Sequence, residues 1–261
     1  MKIKTINFKK FSSIKVGTLI DVLIIERDDN IPTDRFIIGG ANNLLVSPNP
    51  PPLMMLSKDY DYIKLEDNRL IIGGATKSGK IFSFVKKHNI AGFEFLSKLP
   101  GTLGGLVAMN AGLKDREIFN LIYSVKIGDN YILKDDIDYG YRYARLDGVV
   151  TEVIFDIKYG FDSSEVEILK SMRANQPSNP SAGSAFKNPI GDYAGRLIDE
   201  IGLKGMRVGD MAWSDIHANF LVNLGDGKYE DAIYLINEAK GRIKDKFNIE
   251  LQEEILILEK R

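Results

Sequence analysis

Short apolar runs, many of them interrupted by Gly, Asn or Asp, dominate the first 160 residues of the chain. The pattern predicts β-strands at Thr18–Glu26, Arg35–Ile38, Arg69–Ile72, Ser124–Ile127, Tyr131–Leu133 and Val149–Tyr159. One helix is expected among them, near Lys77–His88. The period changes in the last hundred residues. Ser164 with Glu167 reads as a capping box, which predicts a helix over Glu165–Asn175. A second helix is expected at Tyr193–Ile201, stopped by Gly202. A third spans about Tyr229–Lys246, with Ile233, Ile236, Ala239 and Ile243 on one face. A strand, Ile249–Leu258, closes the pattern. The elements suggest two α+β units meeting near residues 158–162.

Composition narrows the chemistry. The 261 residues carry 35 Lys+Arg against 36 Asp+Glu, a formal charge of -1, so binding of nucleic acid through a basic excess is not expected. Cys is absent, which excludes thiolate nucleophiles, disulfides and Cys-bound metal. With His88 and His217 as the two histidines, a three-His metal site is impossible, and no metal is expected. No signal-peptide pattern stands out near the N-terminus. The apolar stretch Leu19–Ile25 is short and contains Asp21, and the uncharged run Leu99–Leu113 is glycine-rich and below the roughly 20 residues of a spanning helix. A cytoplasmic protein without a membrane partner is the expectation.

Three glycine-rich stretches invite a phosphate. Gly74–Lys80 fits G-x-x-x-x-G-K, but Ile81 stands where a P-loop needs a magnesium-holding hydroxyl, so it reads as a turn. The second stretch is Gly39, Gly40, Ala41, Asn42, Asn43 and Leu44, between two apolar runs. The third runs from Pro100 through Gly101, Thr102, Gly104, Gly105 and Asn110 to Gly112. Such backbones approach a ligand closely and can turn successive N–H groups toward an anion. Tight turns in a β fold would show the same glycines.

The densest polar loop is Gln176–Pro189. Ala182, Gly183 and Ala185 leave Ser184 unshielded, and Lys187 and Asn188 follow within reach of an anionic or polar ligand. A hydroxyl is a weak acid, so Ser184 would donate usefully to a carbanion or enolate. Arg142 lies among Tyr139, Tyr141 and Tyr143, where its stem is desolvated; it could equally be a packing cation. Glu253 and Glu254 precede an apolar strand, and alternation alone does not choose between them.

Taken together, these segments resemble the UDP-N-acetylenolpyruvoylglucosamine reductases, the MurB family. Gly39–Val46 is similar to the family's G-x-G-S-N-L-L-V loop. Phe93–Leu96, Pro100–Gly105 and Met109–Gly112 resemble its second flavin loop. Gly140–Arg142, Gln176–Pro189, Ala194–Ile198, Gly202–Gly205, His217–Phe220 and Asn223 follow in family order.

The resemblance implies an α+β chain. Residues 1–160 would form an FAD-binding fold of the vanillyl-alcohol-oxidase (PCMH) type. Residues 161–261 would form a smaller substrate domain, whose strand 249–258 returns to the active site. FAD would sit non-covalently on the two glycine loops, with NADPH as co-substrate and a UDP-sugar as the other partner; a monomer is expected. The resemblance puts Arg142, Ser184 and Glu254 on the family's three catalytic positions, choosing Glu254 over Glu253, and gives Lys187 and Asn188 to the substrate. The implied activity is reduction of UDP-N-acetylglucosamine enolpyruvate in peptidoglycan precursor synthesis. A related flavin oxidase acting on another sugar or alcohol, and a nucleotide-sugar binding protein without turnover, are the competing readings. The chain departs from the family at Ala144, where Y-R-x-S has a serine, and at Asn42, also usually serine. It lacks room for the tyrosine-bearing loop of the longer subtype, and so resembles a compact type II form.

Overall fold

The computed structural model describes residues 1–260. The chain folds into two compact units, neither of them continuous in sequence. The first comprises residues 1–4, 22–40 and 52–174; the second comprises 5–21, 41–51 and the described residues from Asn175 onward.

The first unit is built on a five-stranded antiparallel sheet. Its order is Asn130–Leu133, Ile122–Ile127, Val150–Asp156, Arg69–Gly73 and Ile63–Glu66. Alternation sets the faces: Leu70 and Ile72 are buried while Arg69 is exposed, and Val153 and Phe155 are buried on the neighbouring strand. The helix Ser78–Lys87 turns Ile81 and Val85, one turn apart, into the same core. A further set of parallel strands pairs Val22–Ile25 with Leu53–Leu56 and Phe36–Ile37 with Leu53–Met54. Leu23, Ile25, Met54 and Val149 pack together beside it.

The second unit has a four-stranded antiparallel sheet ordered Ser181–Ser184, Phe220–Asn223, Met211–Trp213 and Arg207–Val208. The helices Ala194–Glu200 and Tyr229–Phe247 share its core, in which Trp213 is fully buried. The longer helix buries Ala232, Leu235, Ile236, Ala239 and Ile243, while Ile233 is partly covered. A separate parallel pair joins Leu44–Val46 to Leu256–Leu258.

Three expectations change. The helix expected at Glu165–Asn175 runs from Ser163 to Ser171, and Asp162 caps it by accepting from the Ser164 N–H at 2.8 Å. Ser164 therefore lies inside the helix, because the earlier carboxylate takes the capping role. The closing strand shortens to Leu256–Leu258, since residues 252–254 bond individually to the 185–187 backbone. The glycine run after Pro100 contains a short helix, Leu103–Ala108, where turns were expected. Gly104 permits it: a Cβ there would lie 3.3 Å from the carbonyl oxygens of Gly74 and Val150.

Candidate active site

The first glycine segment lies between the strands Phe36–Ile37 and Leu44–Val46. A Cβ at Gly39 would run into the Thr102 hydroxyl, so the missing side chain lets the two glycine segments touch. Ala41 sits at φ 50°, in the left-handed region. Among the described residues, no backbone acceptor takes the N–H groups of Gly39, Gly40, Ala41 or Asn42. Asn42 donates to Ser13 Oγ at 2.6 Å, and the Ser13 N–H donates to the Ala41 carbonyl at 3.1 Å. In the second segment Gly101 has φ 146°, and the Gly105 N–H, in the first turn of the short helix, also has no backbone acceptor.

The P-loop-like run is bonded differently. The N–H of Gly74 goes to Thr151, that of Ala75 to Tyr60 and that of Ser78 to Gly101, at 2.8, 3.1 and 2.9 Å. Lys80 pairs with Asp61 at 2.8 Å. A Cβ at Gly74 would strike the Val150 carbonyl. These donors and this glycine serve packing, and they support the second glycine segment.

Arg142 stands at the tip of a hairpin whose strands are Tyr139–Gly140 and Tyr143–Ala144. Its φ of 62° is unusual for a large side chain and marks stored backbone strain. The side chain is 17% exposed. Its Nη2 donates to the Gly112 carbonyl at 3.2 Å, and the guanidinium carbon lies 5.0 Å from the Tyr141 ring centroid. Asn110 is fully buried at φ 40°, and its amide donates to Glu117 Oε2 at 2.7 Å and to the Gly140 carbonyl at 3.0 Å.

Ser184 ends a strand that pairs with Phe220–Asn223 through Ser181↔Val222 and Ser184↔Phe220. The unequal spacing is a bulge, and Gly183 absorbs it at φ 82°. The next residues are held on both sides. The Asn219 side chain accepts from the Phe186 N–H at 3.0 Å and donates to the Phe186 carbonyl at 2.8 Å. On the other side the Glu254 N–H donates to the Ala185 carbonyl at 2.8 Å, and the Lys187 N–H to Gln252 at 2.9 Å. Asn43 Nδ2 donates to the Glu254 carbonyl, also at 2.8 Å. Glu253 pairs with Lys240 at 2.6 Å, which separates it from its neighbour. Asn188 is exposed, and its side-chain oxygen accepts from the Ala194 N–H at 3.1 Å, where the following helix starts. His217 Nδ1 accepts from the Asn219 N–H at 3.3 Å, and burial pushes the imidazole below its ordinary pKa.

Residues 176–258 match the family model described as "UDP-N-acetylenolpyruvoylglucosamine reductase, C-terminal domain". A UDP-N-acetylenolpyruvoylglucosamine reductase from Campylobacter jejuni (strain RM1221) is 44% identical over 258 residues, covering 97% of this chain and 99% of that protein. This chain belongs to the UDP-N-acetylenolpyruvoylglucosamine reductase family. The same-named Helicobacter pylori protein is 43% identical over 254 residues, covering 97% of this chain and 98% of that one. The solved reductase from Thermus caldophilus superposes with a TM-score of 0.85 at 28% identity, covering 99% of this chain and 100% of that chain.

Membership in the reductase family makes the chain an oxidoreductase. Its fold is α+β, that of the solved Thermus caldophilus reductase. Within the second unit the structure brings Ser184, Asn43 and Glu254 onto adjoining backbone; within the first it brings Asn110, Gly112 and Arg142 together. Two residues escaped the sequence reading as individuals, Asn219 and Glu117. Asn219 lies inside the H-A-N-F block, but nothing in that pattern says its amide clamps Phe186. Among the described residues, no helix is long and apolar enough to cross a membrane.

Proposed function

We propose that this chain reduces UDP-N-acetylglucosamine enolpyruvate to UDP-N-acetylmuramate in peptidoglycan precursor synthesis. It would use NADPH and non-covalent FAD, as a cytoplasmic monomer. The supporting observation is the corner where Glu254 bonds to Ala185, next to Ser184, inside the segment that matches the reductase C-terminal domain.

The glycine segments fit a flavin nucleotide on their own chemistry. Among the described residues the N–H groups of Gly39, Gly40, Ala41, Asn42 and Gly105 lack backbone acceptors, and the missing side chain at Gly39 admits the Thr102 hydroxyl. Asn43, Leu44, Pro100, Gly101, Thr102, Gly104 and Gly112 would complete the cradle, and Asn110 would shape it through its buried bonds. When bound, FAD supplies the hydride that it takes from NADPH.

The protein's own groups do the rest. Arg142 would hold the enolpyruvyl carboxylate, and Glu254, with its carboxyl protonated so that it can donate, would help stabilise charge as it develops toward the enolate. Ser184 Oγ would deliver its proton to C2 of the vinyl ether. Lys187 and Asn188 would hold the nucleotide sugar.

The test is an anaerobic absorbance titration. Bands at ~370 and ~450 nm should bleach with NADPH and recover with the enolpyruvyl sugar nucleotide, as expected when a flavin carries the redox step. Protein that shows no such bands after incubation with FAD removes the proposal.

A further inference from the structure

The arginine at the hairpin tip is steered from outside its own turn. Arg142 Nη1 faces Glu117 Oε1 at 4.0 Å, with the two side chains 17% and 22% exposed. The other carboxylate oxygen of Glu117 accepts from Asn110 Nδ2 at 2.7 Å. The same amide also donates to the carbonyl of Gly140, two residues before Arg142. Its oxygen accepts from the Phe119 N–H at 3.3 Å, two residues after Glu117. One buried side chain thus ties the segment carrying the carboxylate to the hairpin carrying the guanidinium. The carboxylate and the hairpin backbone are thereby held in register.

The distance has a chemical meaning. A two-pronged contact would commit the fork of the guanidinium to the carboxylate. At 4.0 Å the carboxylate supplies a counter-charge and a direction without that grip. A second cation makes the counter-charge matter. Arg173 lies close enough for the charge of Arg142 to weaken its hold on its proton, after the larger effect of burial. Arg173 donates to the Lys98 carbonyl, and its Nε is buried without an acceptor. The two guanidiniums repel one another, and the carboxylate of Glu117 offsets that repulsion at Arg142.

We propose that Glu117, braced by Asn110, is the positioning residue that aims the Arg142 guanidinium at the carboxylate of the substrate. This role rests on the assignment of Arg142 made under the proposed function. It gives Glu117 no contact with substrate.

The test is a double-mutant cycle on the flavin-loaded enzyme. Glu117→Gln keeps an acceptor for Asn110 and removes the charge; Glu117→Asp is the substitute if the glutamine variant does not fold. Glu117→Gln should weaken binding of UDP-N-acetylmuramate, measured by calorimetry, by about tenfold. It should slow reoxidation by the enolpyruvyl substrate to a similar degree, while reduction by NADPH and the thermal midpoint stay near wild type. In an Arg142→Ala background the same change should cost nothing further. Losses that simply add in the double variant overturn the role of Glu117, as does a Glu117→Gln enzyme with wild-type affinity. Arg142→Ala with wild-type affinity and reoxidation overturns the assignment of Arg142, and this role falls with it.

Discussion

Arg142 stands on a strained two-residue turn and is held from the side, by Gly112, by Tyr141 and across 4.0 Å by Glu117. Ser184 stands on a bulged strand and is held from behind, by backbone bonds to Phe220–Asn223 and by the clamp of Asn219 on Phe186. The difference follows from the groups. A guanidinium has a long flexible stem, so fixing its backbone leaves its head free, and other side chains must set its direction. A serine hydroxyl is one bond from Cβ, so placing the strand nearly places the oxygen.

The largest expected effect separates the chemistry of the two. Ser184→Ala should leave reduction by NADPH intact and slow reoxidation by the enolpyruvyl substrate by about 10²–10⁴-fold, the range for a lost proton donor. Stopped-flow absorbance reads both steps, and equal slowing of both would remove the proton-donor role.

Asn219→Ala comes next, because it strips both hydrogen bonds from a buried peptide. Each orphaned group costs about 1–3 kcal/mol, so urea unfolding should show roughly 2–6 kcal/mol of destabilisation. A loss below about 0.5 kcal/mol would mean that the strand is held without the clamp. Gly183→Ala is gentler. No atom lies within 4 Å of the position a Cβ would take, so the cost is conformational, about 1 kcal/mol for a left-handed alanine.

The smallest effect is a pH slope. Burial lowers the pKa of His217 in the folded protein, so the unfolded chain binds the proton more readily. Stability should be complete above about pH 6.5, the ordinary histidine value, and decline as pH falls toward the lower folded pKa. Protonation also removes the Nδ1 acceptor for Asn219, which couples this slope to the serine strand. His217→Asn should flatten the stability profile in that window; an unchanged slope would place its origin elsewhere.

Local signals carried much of the fold. The helix Tyr229–Phe247 was legible because its buried residues recur at helical spacing, and the strands Arg69–Gly73 and Ile122–Ile127 because apolar runs end at turn residues. The pairing of Leu44–Val46 with Leu256–Leu258 was not, since nothing in either run names a partner so far along the chain. The Asn43 bond to Glu254 spans 211 positions and is equally silent. Ser164 misled because Asp162 competes for the same cap and wins. In the candidate site, the residue types at Arg142, Ser184 and Glu254 could be read by their chemistry and by family order. Their braces could not, because Asn110, Glu117 and Asn219 act through geometry that only the folded chain creates.

The interleaving of the two units has a consequence for biosynthesis. Every residue of the first unit has been made once the ribosome passes residue 174. The second unit must wait: residues 5–21 and 41–51 leave the ribosome early, but their partners lie beyond residue 175. Ile14, Val16 and Leu45, each almost completely buried in the finished core, have nothing of their own unit's sheet to cover them in that interval. A nascent chain stalled once residue 174 has cleared the ribosomal tunnel should therefore present the first unit with these apolar segments uncovered, and should bind chaperones more tightly than the finished protein does.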